Sequence, residues 1–197
     1  MFKLEVPDLK IGIVSDTHGD LRTCRRVWEK CFGDAQLVIH AGDVLYHGPR
    51  NPIAEGYDPA GLAEFLNACP VPLLVARGNC DADVDRLVLQ YPLPPFLFMQ
   101  FGGLRIMVEH GDGSGLDRQY MVDTGRKYGV HLFITGHTHQ RMLEKVEEVV
   151  ILNPGSPSLP KGDGKPSVAL LERGRLRVLD VLTGETLAEM DLGPAAM

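Results

Sequence analysis

Seven side chains able to donate to a metal ion or a phosphate, Asp16, His18, Asp43, Asn79, His110, His137 and His139, fall in five short polar strings. The strings are SDTHG (Ser15 to Gly19), AGD (Ala41 to Asp43), RGNCD (Arg77 to Asp81), EHGD (Glu109 to Asp112) and TGHTH (Thr135 to His139). Carboxylate, amide and imidazole donors without thiolate suit borderline or hard divalent ions such as manganese, iron or zinc. The set is large enough for two ions sharing a carboxylate. Asp16 and His18, like His137 and His139, are two residues apart, and alternate residues of an extended segment face the same way. Gly42, Gly78, Gly111 and Gly136 flank the donors, where a missing Cβ permits tight turns and close approach.

Each string follows an apolar run that reads as a buried strand: KIGIV, AQLVIH, VPLLVA, LRIMV and HLFI. Ligands of open α/β sheets bind outside the carboxyl ends of the strands, so these donors can meet at one edge. Helices are predicted near Leu21 to Phe32, Pro59 to Ala68 and Leu116 to Tyr128, which gives a strand and helix alternation. Gly102-Gly103 predicts a hairpin within Phe96 to Glu109. After the last string, MLEKVEEVVILN, SVALLERGRLRVLDV and ETLAEMDL read as strands, with turns at Arg173-Gly174 and Thr183-Gly184. A second sheet is therefore expected. The connection Val44 to Pro59 is too long for an ordinary strand-to-helix link and predicts a wall of a binding site, from which His47 and Arg50 are candidates to contact a substrate phosphate.

The ordered strings DxH, GD, GNC, HG and GHTH resemble the calcineurin-like metallophosphoesterase superfamily. GDVLYHGPRN (Gly42 to Asn51), EGY (Glu55 to Tyr57), RGNCD, NPGS (Asn153 to Ser156) and PKG (Pro160 to Gly162) extend the likeness to its small YfcE-type bacterial phosphodiesterases, over about Lys10 to Leu182. The resemblance implies an α/β fold, a two-sheet αββα sandwich, as one domain over residues 1–197. It implies two divalent ions, manganese first, with iron, zinc, nickel and cobalt as alternatives. Asp43 would bridge them, with Asp16, His18 and His139 completing one site and Asn79, His110 and His137 the other. The implied reaction is hydrolysis of a small phosphodiester by a metal-bridging hydroxide, with Asn79 and the ions holding the non-bridging oxygens. A homodimer or higher homo-oligomer is implied as well.

Cys80 stands where many superfamily members carry histidine. A thiol with an ordinary pKa of roughly 8.5 is a poor proton donor beside a leaving group, so activated aryl diesters are favoured over alkyl esters and monoesters. Asp112 is a second departure, where some relatives carry another histidine. Cys80 and Arg86 also fit a CxxxxxR phosphatase loop, but the intervening DADVD carries three acids and no glycine and would repel phosphate. GDGSG (Gly111 to Gly115) lacks dinucleotide-loop spacing and reads as a turn. His40 and His131 read as structural, and Val27, Trp28 and Phe32 as core.

The chain of 197 residues, 44% hydrophobic, suffices for one core. Its net charge of -6 argues against stable nucleic-acid binding. No apolar run reaches membrane-spanning length, and MFKLEVPDLK lacks the apolar block of a signal peptide, so a cytoplasmic protein is expected. Cys24, Cys31, Cys69 and Cys80 read as free thiols. Two other readings are a phosphomonoesterase and a non-catalytic scaffold of the kind the retromer subunit makes from this fold. The complete donor set argues against the scaffold, and the lack of basic segments or a capping domain argues against a nuclease.

Overall fold

Alternate apolar residues decide which way each strand faces. In β1 (Ile11–Val14), Ile11 and Ile13 point into the space between two sheets, whereas Val14 points to a layer of helices. β2 (Leu37–His40) and β3 (Leu73–Val75) run parallel to it, with Ile11 opposite Leu37 and Val38 opposite Leu73. The computed structural model describes residues 8–113 and 117–193. Leu116, the last two residues of the GDGSG turn, the first seven residues and the last four lie outside the described residues.

Helix α1 (Leu21–Val27) is capped by Asp20, whose carboxylate accepts from the Thr23 N–H. The expected single helix to Phe32 instead widens into a π-helical turn over Trp28–Phe32. Packing accounts for the change: Trp28 meets Phe32 and Phe65 edge-on at 5.3 and 5.4 Å, and the Phe32 ring covers Gly12. Helix α2 (Pro59–Asn67) starts at Asp58, which accepts from Gly61 N–H, with proline in its first turn.

The hairpin expected at Gly102-Gly103 joins β4 (Phe96–Phe101) to β5 (Leu104–Glu109), pairing Phe101 with Leu104. Helix α3 (Arg118–Tyr128) leads through Gly129, at φ 62°, to β6 (Leu132–Ile134). The C-terminal third supplies the expected strands: β7 (Met142–Val146), β8 (Val149–Asn153), β9 (Ser167–Glu172), β10 (Arg175–Asp180) and β11 (Thr186–Asp191). One sheet has the order β11-β10-β9-β1-β2-β3 and the other β4-β5-β6-β8-β7. Their facing sides bury Ile13, Ile39, Ile106, Leu132, Ile134 and Val178. Helices α1 and α2 cover the first sheet, and α3 covers the second through Met121, Phe133 and Ile151. The described residues thus form the αββα sandwich.

Gly125 lets α3 lie close to its sheet, because a Cβ there would come within 2.2 Å of Val149 Cγ2. Gly125→Ala would gain about 1 kcal/mol of helix propensity in isolation. We expect a net loss of about 1–3 kcal/mol in urea unfolding, recovered in part by adding Val149→Ala. A simple gain in stability would show that the helix shifts freely.

Candidate metal centre

The carboxyl ends of β1, β2 and β3 deliver Asp16, His18, Asp43 and Asn79, while those of β5 and β6 deliver His110, His137 and His139. The donors therefore come from two sheets, whose parallel portions end at the same side of the sandwich. Asp16 Oδ1 lies 3.8, 3.9 and 3.3 Å from the Nε2 atoms of His18, His110 and His139. Asp43 Oδ2 lies 3.7 Å from His18 Nε2 and 3.3 Å from His110 Nε2. All five of these residues are buried.

Their convergence does not come from alternate positions in extended chain. Asp16, His18, Asp43, His137 and His139 all have φ between 45° and 67°, in the left-handed region, and the described residues contain only two other non-glycine cases. Each such residue costs on the order of 1–3 kcal/mol unless its surroundings impose it. Five strained residues on one spot mark a functional centre.

Backbone carbonyls set the imidazole tautomers. The Nδ1 atoms of His18, His110 and His139 contact the carbonyl oxygens of Tyr46, Ala41 and Leu159 at 2.7, 2.7 and 2.8 Å. Each Nδ1 must donate, which turns each Nε2 inward and leaves its lone pair there whenever the ring is neutral. His18 Nε2 and His139 Nε2 then meet at 3.0 Å, an arrangement that neutral rings tolerate only around a cation. His110 Nε2 is buried with no hydrogen-bond partner. Burial alone would lower the His110 pKa, but Asp43 and Asp16 outweigh it and hold it up at about 9. Burial would likewise raise Asp43 and Asp16, yet the facing histidines hold both below the usual carboxylate range. Two low carboxylates and inward lone pairs fit divalent metal.

A layer of backbone contacts holds these groups. Asp81 Oδ2 accepts from Asp43 and Gly78 N–H at 2.9 and 2.7 Å, and its Oδ1 accepts from Val44 N–H at 2.7 Å. Burial pushes its carboxyl up, to about 6, against those three donors. Gly78 is required beside it, since a Cβ would come within 2.2 Å of Asp43 Oδ1. Ser156, in the NPGS string, donates to the Asp16 carbonyl at 2.7 Å and accepts from Leu159 N–H at 2.8 Å. It thereby connects Asp16 to the carbonyl that orients His139. Buried His40 accepts from Gly42 N–H at Nδ1, so Nε2 donates to Thr17 Oγ1, whose hydroxyl donates to the Val44 carbonyl. Residue spacing carries no sign of these roles, because most of the partners are main-chain groups.

Asn79 and His137 meet each other at the edge of the centre, Nδ1 to Oδ1 at 2.7 Å. Cys80 N–H donates to Asp43 Oδ1 at 2.8 Å, and its sulfur lies near His18 and Asp43, within 4.8 Å between donor atoms. Burial and the surrounding carboxylates push its thiol up to about 12. A cavity of about 500 Å³ opens over Asp43, Asn79, Cys80, His137 and His139, bordered by Arg50 and Lys161. His47 sits between Tyr46 and Tyr57, with centroid separations of 4.6 and 5.2 Å, and its buried Nδ1 has no partner. Lys161, from the PKG string, is a border residue that the sequence reading did not single out.

Residues 9–174 match the calcineurin-like phosphoesterase superfamily domain. The chain is 34% identical over 188 residues to phosphodiesterase YfcE of Escherichia coli K12, covering 94% of this chain and 100% of that protein. The solved structure of the E. coli phosphoesterase YfcE superposes with a TM-score of 0.82 at 32% identity, over 94% of this chain and 100% of the other. A phosphodiesterase of Methanocaldococcus jannaschii is 30% identical over 157 residues, 75% of this chain and 83% of that protein. The zinc complex of Vps29 from Entamoeba histolytica, at 22% identity and a TM-score of 0.65 over 94% of this chain and 100% of the other, shares the fold.

Burial lowers the His40 pKa to about 4, so the unfolded chain binds a proton near pH 6.5 that the native state refuses. The resulting stability is complete above pH 6.5 and is lost as pH falls toward 4. Urea unfolding of chelator-treated protein at pH 7.5 and pH 5 should therefore show a pH-dependent loss about 2 kcal/mol larger in the parent than in His40→Asn. Equal losses would show that His40 is protonated in the native state.

Proposed function

The chain belongs to the calcineurin-like phosphoesterase superfamily, and we propose that it is a dinuclear metal-dependent phosphodiesterase acting on small phosphodiesters. The observation that carries this reading is the 3.0 Å approach of the His18 and His139 Nε2 atoms, lone pair to lone pair, beside the carboxylates of Asp16 and Asp43. Asp16, His18, Asp43 and His139 would hold one ion, and Asp43, Asn79, His110 and His137 the other. Two bound divalent ions, manganese first among the candidates, would supply Lewis acidity toward the phosphoryl oxygens and a water acidified to react near neutral pH.

The residues have separable tasks. Asp43 suits a shared position because Oδ1 is committed to Cys80 N–H while Oδ2 faces His18 and His110. Asn79 Oδ1 meets His137 Nδ1 while its amide nitrogen, which donates to the Cys80 sulfur at 3.4 Å, keeps a second N–H that would donate to a non-bridging phosphoryl oxygen. Arg50, at the cavity border, is the proposed contact that attracts the anionic ester, whereas His47, held between Tyr46 and Tyr57, is not among the residues that line the cavity. The Cys80 thiol stays protonated at neutral pH, so it acts neither as nucleophile nor as efficient acid, and substrates with good leaving groups are favoured. An intact donor set supports catalysis over a scaffold role. No helix among the described residues is long and apolar enough to cross a membrane, and the protein is read as a cytoplasmic homodimer or larger homo-oligomer.

Chelation should abolish hydrolysis of an activated aryl diester, and manganese should restore it. Asp43→Asn should release both ions and cost at least about a hundredfold in kcat, whereas His139→Ala should mainly empty one site. Fully active protein that elemental analysis finds metal-free would end this reading.

Cys80→Ala should stay within about tenfold of the parent on the same activated diester. Cys80→His should speed 2′,3′-cyclic nucleotides and other poor leaving groups by up to about a hundredfold, because imidazole donates a proton near neutral pH. A folded, metal-loaded but dead Cys80→Ala, together with phosphocysteine trapped on the parent, would establish covalent catalysis instead.

A further inference from the structure

Two loops form the border of the cavity over the metal centre, and each contributes one exposed cation. Arg50 comes from the segment between β2 and α2, where Gly48 packs so closely on Cys80 that a Cβ would stand 3.0 Å from the sulfur. Lys161 comes from the segment between β8 and β9, where its N–H donates to the His139 carbonyl at 3.0 Å. The two cations thus reach the cavity from loops anchored on different parts of the centre.

The acids of those loops are engaged elsewhere. Glu55 pairs with Arg22 at 2.8 Å, Asp58 caps α2, and Asp163 takes a two-pronged contact from Arg141. Among the described residues neither Arg50 nor Lys161 has a carboxylate within 4.0 Å. In a chain of net charge -6, two cations that border one cavity with no carboxylate partner give that cavity a local attraction for anions. A scissile diester carries a single negative charge, and two divalent ions held by the Asp16 and Asp43 carboxylates would leave enough positive charge at the floor to balance it without help from the border. The border charges are therefore surplus to the scissile phosphate. With that phosphate at the floor, one ester arm must extend toward the border, and about 500 Å³ leaves room for it.

We propose that Arg50 and Lys161 form a subsite for a second anionic group, a phosphate or a carboxylate, carried on the leaving alcohol of the substrate. This rests on the phosphodiesterase reading and narrows it to diesters with a charged leaving arm. Arg50 offers planar, two-pronged recognition, and Lys161 a mobile point charge, a combination suited to a terminal phosphoryl or carboxyl group.

The test uses manganese-loaded protein and three methyl aryl phosphodiesters whose leaving phenol is unadorned, carboxymethylated or phosphonomethylated, with hydrolysis followed by chromatography. The parent should prefer one charged ester over the unadorned one at least tenfold in kcat/KM, mostly through KM, and the larger preference identifies the second group. That ratio should fall at least threefold in Arg50→Ala and in Lys161→Ala, and approach one in the double variant. A ratio near one in the parent, or one unchanged in the double variant, overturns the subsite.

Calorimetric titration separates this inference from the reading beneath it. The parent should bind 1,4-xylylene bisphosphonate at least tenfold tighter than benzylphosphonate, a difference lost in the double variant. A protein that binds in this way but hydrolyses no diester would retain the subsite and lose the phosphodiesterase reading. One that hydrolyses the unadorned ester without either preference would do the reverse.

Discussion

The structure depends on an arrangement that is repulsive by itself: two buried carboxylates face one another across a small space, and imidazole nitrogens point their lone pairs into the same space. His18 Nε2 and His139 Nε2 stand 3.0 Å apart while both outer nitrogens are committed to carbonyls. Rotating either ring away would abandon a buried hydrogen bond, which costs about 1–3 kcal/mol for the group left unpaired. Without metal, protonation of His110 supplies some of the missing positive charge. Bound divalent ions supply it more fully, so metal affinity and the integrity of this end of the sandwich are one thermodynamic quantity.

Local backbone strain follows from the same demand. Turning Asp16, His18, Asp43, His137 and His139 inward at the strand ends puts all five in the left-handed region. Total stability of a domain is only about 5–15 kcal/mol, so strain of this kind needs strong local restraint. Asp81 provides it by gathering three N–H groups from two strings, and Ser156 provides it by linking the Asp16 carbonyl to the 158–159 turn. Because those groups are buried at the strand ends, they cannot relax into water. The sandwich therefore serves as a clamp on the loops that protrude from it.

Much of this was legible in the chain. Five polar strings, each behind an apolar run, disclosed the donors and the strand ends, and Gly102-Gly103 disclosed the hairpin of the second sheet. The spacing argument for Asp16 and His18 reached the right convergence through the wrong backbone, since periodicity assumes extended chain and has no means of showing φ near 50°. The π-helical end of α1 was hidden because it answers to aromatic packing around Trp28 and Gly12, which are distant in sequence. Asp81 and Ser156 were hidden for another reason, and so were the partners of His40, which the sequence marks only as structural. All three residues act on main-chain groups, and every residue type but proline offers the same N–H and carbonyl.

The division between floor and border also explains why chemistry was easier to read than substrate. The floor is made of carboxylate, amide and imidazole donors, most of them buried, so its residue types alone point to a divalent metal. The border is made of exposed loops, where an arginine or a lysine has many uses and only its surroundings distinguish them. At Arg50 and Lys161 the distinguishing feature is negative: neighbouring acids are spoken for by Arg22, Arg141 and the cap of α2. Such a pattern exists only in three dimensions, since Asp163 is two residues from Lys161 in sequence yet bonds to Arg141. On the proposed reading, the unpaired border charges would select the substrate while the donor cluster below them would set the reaction.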